Sequence, residues 1–324
     1  MSKNWYYDIY TIDDYFWEDD NRQFRVNTKH KSIHNYCYNG INSSFDNSRK
    51  YLEMTKCSVI YLLKMLKENY KLEDDKLAEY AILFLSYKLK QHSQHKFIKL
   101  NDFYTNHIKN NNDYNKNIKD NGPTYKEIID RKKNLMDIKE ISKFNDPFVI
   151  LFYLYYVFYD EYLNCTYNSN LAKRFAKEFE ELSKDSKNIE ESLYNKILST
   201  LSDDYNKLKN IYGNKKSCNF IALPIIEPKK KPSENLAQNP VENRVEGSGK
   251  NSLENSVQHT ALSPAEKFGQ ISLQPPEVIS SSSSISTTLI PALSIVSAIP
   301  VFLGIAYKTI FKKKIKKSKD ENET

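Results

Sequence analysis

The stretch Phe148–Tyr159 reads FVILFYLYYVFY. It holds no charged residue, and its only polar groups are tyrosine hydroxyls. Wound as a helix it is apolar on every side, so it has no face to give to water and must be enclosed by other elements. The preceding Asn145-Asp146-Pro147 is a good helix start with proline in the first turn, and Asp160-Glu161 closes the run. At roughly 1.5 Å per residue it is too short to cross the ~30 Å hydrocarbon core of a bilayer. We therefore read it as the central buried helix of a bundle, in preference to a second membrane span.

Around it, apolar residues recur at helical spacing. Leu52, Val59, Ile60, Leu62, Leu63 and Leu66 predict a helix over 51–69. Leu77, Tyr80, Ala81, Phe84, Leu85 and Leu89 predict one over 74–91. Similar patterns predict helices over 96–109, 124–137, 169–184 and 189–212, with a loop at 110–121. No alternating strand pattern of comparable length occurs, so residues 1–223 read as an all-α helical bundle.

Beyond the bundle the composition changes twice. Residues 224–287 hold seven of the 11 prolines and the serine run 280–284. Such a composition buries too little apolar surface to order itself, and it reads as a disordered stalk. From Val278 to Tyr307 there is no charge, and Leu289–Tyr307 reads LIPALSIVSAIPVFLGIAY. As a helix this is roughly 28 Å long, which suits one span at 288–307. Pro291, Pro300 and Gly304 lie inside it, tolerated in membrane helices, with Pro300 placed to kink it. After Tyr307 come Lys308, Lys312, Lys313, Lys314, Lys316, Lys317 and Lys319, a basic run that marks residues 308–324 as the cytosolic side. The bulk of the chain is then exoplasmic or lumenal, with the lipid bilayer as one partner. Residues 1–30 lack an apolar run and carry Asp13, Asp14, Glu18, Asp19 and Asp20, so no secretory signal is read there. The membrane helix would itself be the insertion signal. A tail-anchored route would leave the head in the cytosol, and the sequence leaves the two topologies open.

The formal charge is +7 over 324 residues, but residues 308–324 carry +4 of it and residues 1–227 only +3. A nucleic-acid surface is not indicated. With 7 glycines and no GxGxxG or GxxxxGK[ST], nucleotide-binding enzymes are not indicated either. No GxSxG, HExxH or CxxC occurs, and Asp74-Asp75, Glu180-Glu181 and Asp203-Asp204 read as solvated helix faces. We expect no enzyme activity, no cofactor and no small-molecule substrate. His92 and His95 read as surface groups.

The four cysteines are Cys37, Cys57, Cys165 and Cys218, and they allow three pairings. Helices 169–184 and 189–212, folded back as a hairpin, would bring Cys165 to Cys218 and leave Cys37 for Cys57. Small buried thiols are the alternative. His30 and His34 with Cys37 and Cys57 have the chemistry of zinc ligands, but the spacing fits no known finger and no metal is expected. Asn42-Ser-Ser44 and Asn164-Cys-Thr166 are sequons compatible with a lumenal head.

Several blocks resemble the Plasmodium interspersed repeat (PIR) proteins. They are Tyr125–Phe144 (YKEIIDRKKNLMDIKEISKF), Asp102–Asn112 (DFYTNHIKNNN), Tyr194–Leu208 (YNKILSTLSDDYNKL), Ser217–Pro224 (SCNFIALP) and Leu289–Lys308. The last is similar to the anchor common in rodent-parasite members. The resemblance implies a variant antigen exported into the infected erythrocyte and associated with antigenic variation, immune evasion and binding to a host-cell or immune receptor. It also implies a helical ectodomain, a variable linker, one membrane helix and a short tail. Loops 38–50 and 110–123 and the linker are where variation is expected. Departures are the absent cysteine near residues 5–10, Phe152-Tyr153 where members often carry one, the lack of RxLx[EDQ], and a short lysine-rich tail. The alternative expectation is a membrane protein inside the infected cell that tethers a partner without surface display.

Overall fold

The computed structural model describes residues 4–159, 165–213 and 220–231. The apolar stretch forms helix α7, Asn145–Tyr159, at the centre of the head. Helices α1 (Trp5–Tyr15), α4 (Asp74–Gln91), α8 (Cys165–Ser183) and α9 (Leu193–Tyr212) pack around it. Phe148, Leu151, Phe152 and Leu154 have no exposed surface. A helix without a polar face is stable only inside such a ring.

The rest is mostly helical: α2 (Lys31–Cys37), α3 (Asn47–Tyr70), α5 (Leu100–Phe103), continued by a wide turn to Ile108, and α6 (Tyr125–Asp130). Local signals set the ends. The Asp46 carboxylate accepts from Arg49 N at 2.7 Å at the start of α3, and Ser192 Oγ accepts from Asn195 N at 3.1 Å at the start of α9. Thr124 and Glu127 form a reciprocal capping box on α6. Gly213 closes α9, where a Cβ would come within 2.5 Å of the Lys209 carbonyl oxygen.

Helices α3, α4 and α9 lie close to the spans predicted by periodicity. Three features differ. Helix α1 and the antiparallel ribbon β1 (Phe16–Glu18) with β2 (Phe24–Val26) are not predicted. The helix expected over 96–109 begins only at Leu100, because Glu18 of the ribbon accepts from Ser93 N at 2.7 Å and Ser93 Oγ at 2.6 Å. That clamp ends α4 and leaves Phe97 exposed. The helix expected over 124–137 breaks after Asp130, where Arg131 and Lys132 both turn to Asp75, at 2.7 and 2.9 Å.

Several charged residues are buried, among them Asp204, which its sequence context placed on a solvated helix face. Asp204 has no exposed surface; its Oδ2 accepts from Tyr6 at 3.0 Å and Tyr80 at 2.5 Å, and Tyr155 donates to its backbone carbonyl at 2.9 Å. Lys88 and Asp13 are both fully buried, 3.0 Å apart, and Lys88 also donates to the Phe16 carbonyl at 2.9 Å. A low-dielectric interior accepts such groups only when they are paired and hydrogen-bonded.

His92 and His95 are buried as well, with rings stacked 4.3 Å apart beneath Tyr51. Burial pushes the His92 pKa down to about 4; the neighbouring His95 pushes the same way, and Glu18, 3.6 Å from His92, opposes them. The unfolded chain therefore binds a proton at His92 that the folded chain refuses between about pH 6.5 and 4. The stability that neutral His92 contributes is present above pH 6.5 and is lost as pH falls toward 4. Urea midpoints at pH 7 and 4.5 should fall more steeply for the natural chain than for His92→Gln. Equal slopes would dismiss this origin.

The extended segment after α9 does not leave the head at Leu223. Phe220 packs on Phe158 and Tyr205, and Tyr205 donates to the Ile221 carbonyl at 2.9 Å. Lys229 N then donates to the Asn188 carbonyl at 2.8 Å, and Glu190 N donates to the Lys229 carbonyl at 2.9 Å. Residues 220–231 thus form a strap that runs back along α9 to the α8–α9 turn. The rest of the predicted stalk, the span 288–307 with its prolines and Gly304, and the lysine run lie outside the described residues. Among the described residues, no helix is long and apolar enough to cross a membrane.

Candidate functional site

Two irregular segments share one side of the head. The first, 38–46, joins α2 to α3, and most of its residues are exposed. The second, 109–124, lies between the α5 turn and α6 and is likewise mostly exposed. Both are tied to the same turn of α3.

The first segment is tied by the Cys37–Cys57 disulfide, whose Cα atoms are 5.7 Å apart. It joins the end of α2 to the middle of α3. The second is tied one residue away: the Tyr114 hydroxyl donates to the Lys56 carbonyl at 2.8 Å, and the Tyr114 ring is completely buried. Ile118 forms a second buried foot. The loop expected at 110–121 is a surface loop, with two core anchors that the sequence does not predict. Burial raises the Tyr114 pKa far above that of a free phenol, so the hydroxyl stays a donor.

The helices flanking the two segments also meet, α2 before the first and α6 after the second. Tyr36, just before Cys37, packs on Tyr61 of α3, and Lys64 lies 5.3 Å from its ring centroid. Tyr36 and Tyr125 are hydrogen-bonded. The result is an anchored base under two sets of mostly exposed side chains. That arrangement suits side-chain replacement without loss of the fold.

The disulfide occupies both thiols of the zinc grouping that the sequence suggested. His30 instead lies 2.9 Å from Asp14, and the His34 ring nitrogen 2.9 Å from the Tyr15 hydroxyl. Among the described residues, no group of three or more His, Cys, Asp or Glu could hold a metal ion. The expected Cys165–Cys218 pair lies outside the described residues. Nothing in the spacing of residues 109–124 points to Tyr114 as an anchor; the one usable signal is an aromatic residue in an otherwise Asn- and Lys-rich run.

Opening the disulfide frees a loop of about 20 residues in the unfolded chain. Cys57→Ser is expected to cost about 2–4 kcal/mol. The fall should appear in the urea midpoint, and Cys37→Ser with Cys57→Ser should match the single variant. An unchanged midpoint would show that the bond does not support the head.

The sequence profile of the Plasmodium variant antigen proteins Cir/Yir/Bir matches residues 6–308. The chain belongs to this family. Similar solved structures include one described as "Structure of a Plasmodium PIR protein ectodomain". It is 28% identical with a TM-score of 0.51, and the match covers 70% of this chain and 98% of that one. No curated protein matches by sequence. The Cir/Yir/Bir match spans the head together with residues that reach past the predicted anchor, so the two-loop side belongs to a variant antigen.

Proposed function

We propose that this variant antigen is held in a membrane by residues 288–307 and presents its helical head on the surface of the infected erythrocyte. The head has no catalytic task on this reading. The two-loop side faces outward and carries the variable positions, and through it the protein meets a host-cell or immune receptor. The observation that carries the reading is the double anchoring at Lys56 and Cys57. It lets the exposed residues of 38–46 and 109–121 change while Tyr114, Ile118 and the disulfide hold their backbone. The apolar run ending at Tyr307, followed by seven lysines, supports the membrane anchor.

Antibodies raised to residues 109–121 test it. They should label intact infected cells, and brief protease treatment of those cells should remove the label. Label seen only after permeabilisation would reject surface display and favour a tether on an internal membrane.

A further inference from the structure

The strap, residues 220–231, is held at two feet. The first foot is apolar. The Phe220 ring centroid lies 5.1 Å from that of Phe158 and 6.2 Å from that of Tyr205, and the Tyr205 hydroxyl donates to the Ile221 carbonyl at 2.9 Å. Leu223 and Ile226 rest half-buried on the core beyond it. The second foot is a single residue. Lys229 N donates to the Asn188 carbonyl at 2.8 Å, and the Lys229 carbonyl accepts from Glu190 N at 2.9 Å. Strap and turn meet there in one parallel bridge, between Ile189 and Lys229.

The turn that receives Lys229 is built without the strap. Asn188 is 1% exposed; its Nδ2 donates to the Ser183 carbonyl at 2.8 Å, and its Oδ1 accepts from Asn195 Nδ2 at 2.9 Å. Ser192 N donates to the Ile189 carbonyl at 3.1 Å. The turn between α8 and α9 therefore keeps its shape when the strap is away.

The strap side is the weak partner. Among the described residues, 222–228 make no hydrogen bond. Pro224 and Pro228 have no N–H to give to a ladder. Ile225 is 83% exposed, and residues 229–231 are exposed as well. A backbone hydrogen bond at the surface contributes little net, because water replaces both partners when it breaks. Two such bonds, with no buried side chain at the same residue, can open while the head stays folded.

We infer that Lys229 is a latch that opens on its own. With the latch closed, the chain leaves the head at the α8–α9 turn. With it open, the strap peels back toward the Phe220 foot, roughly 20 Å away along α9, and frees up to about 36 Å of chain. A pull on residue 231 reaches Lys229 before any other contact of the head, so tension favours the open form. The head thus has two points of suspension. The latch belongs to the head alone. Only its use in setting how far the head stands from a membrane rests on the anchor proposed at 288–307, and the test reads a distance within the head, so it stands or falls apart from that anchor.

The test is pulsed EPR on the full chain in detergent micelles, with spin labels on non-natural residues at positions 187 and 231, both exposed. The natural strap should give one short, narrow distance. Lys229→Pro removes the donor and suits a segment already extended beside Pro228. It should lower the closed population about tenfold or more and give a long, broad distribution, with the unfolding midpoint of the head kept. Lys229→Ala keeps the N–H and should match the natural strap. In the natural chain, the Lys229 and Glu190 amides should exchange hydrogen at least about tenfold faster than the buried middle of α9. The inference is overturned if the natural strap already gives a long, broad distribution, or if Lys229→Pro keeps the short distance or lowers the unfolding midpoint. It is also overturned if Lys229→Ala opens as far as Lys229→Pro, or if the two amides exchange only as fast as the α9 core.

Discussion

Lys88→Met is expected to destabilise the head by about 3–5 kcal/mol, among the largest effects of any single substitution in it. The reason is not the loss of a favourable ion pair as such. Lys88 and Asp13 have no exposed surface, and the ammonium also serves the Phe16 carbonyl and Gln91 Oε1. Removing it leaves the Asp13 carboxylate in the interior with its counter-charge gone. Asp13→Asn should hurt less, because the amide oxygen, the Phe16 carbonyl and Gln91 Oε1 can still accept from the buried Lys88 ammonium. The double variant Asp13→Leu with Lys88→Met should recover most of the loss, since both desolvated charges are then absent. Urea unfolding of the three variants checks this. A double variant as unstable as Lys88→Met would show that packing, not charge, sets the cost. The pair joins α1 to α4, so hydrogen exchange in α1 should quicken first in the single variant.

Phe152→Ala should cost a similar amount, about 3–5 kcal/mol, by a different route. Phe152 is fully buried in α7 and meets Tyr10, Tyr87 and Phe148 edge-on or tilted, with ring centroids 5.7–6.4 Å apart. Its removal opens a cavity where α1, α4 and α7 converge. The aromatic neighbours are themselves held by hydrogen bonds and stacking, so they cannot collapse into the space. The melting temperature should fall by roughly 10 °C for a head of this size. Phe152→Leu, which refills most of the volume, should lose well under half as much. If the leucine variant lost as much as the alanine one, specific ring contacts rather than volume would be at work.

Helices α3, α4 and α9 were legible because their apolar residues repeat at helical spacing over several turns, and α7 because it is apolar throughout behind a proline-bearing helix start. Helix α1 carries the same spacing in Tyr6, Ile9, Tyr10 and Asp13, but its core face is largely tyrosine and aspartate, residues that hydropathy scores as polar. They are buried only because partners far away in the chain complete them: Asp204 for Tyr6, Lys88 for Asp13, Tyr70 for Asp8. The same applies to His92, His95 and Asp204, read as solvated and found inside. In the two-loop site, the pairing of Cys37 with Cys57 was within reach of the cysteine spacing once a hairpin was assumed for the other two. Tyr114 was not, because its partner, the Lys56 carbonyl, is a backbone group whose position only the packed α3 supplies.

What the sequence by itself determined was the kind of object: a helical head around one wholly apolar helix, a proline-rich region, an apolar run before a lysine tail, and the blocks that carry the family. Those are properties of composition and local period, which a chain holds before it folds. What only the tertiary structure decided was where the charges and hydroxyls go. A buried aspartate, lysine or histidine is tolerable only if a specific partner meets it, and that partner lies up to 198 residues away, as Asp204 does from Tyr6. Burial of a polar group is therefore a property of the pair, and the pair exists only in the folded chain.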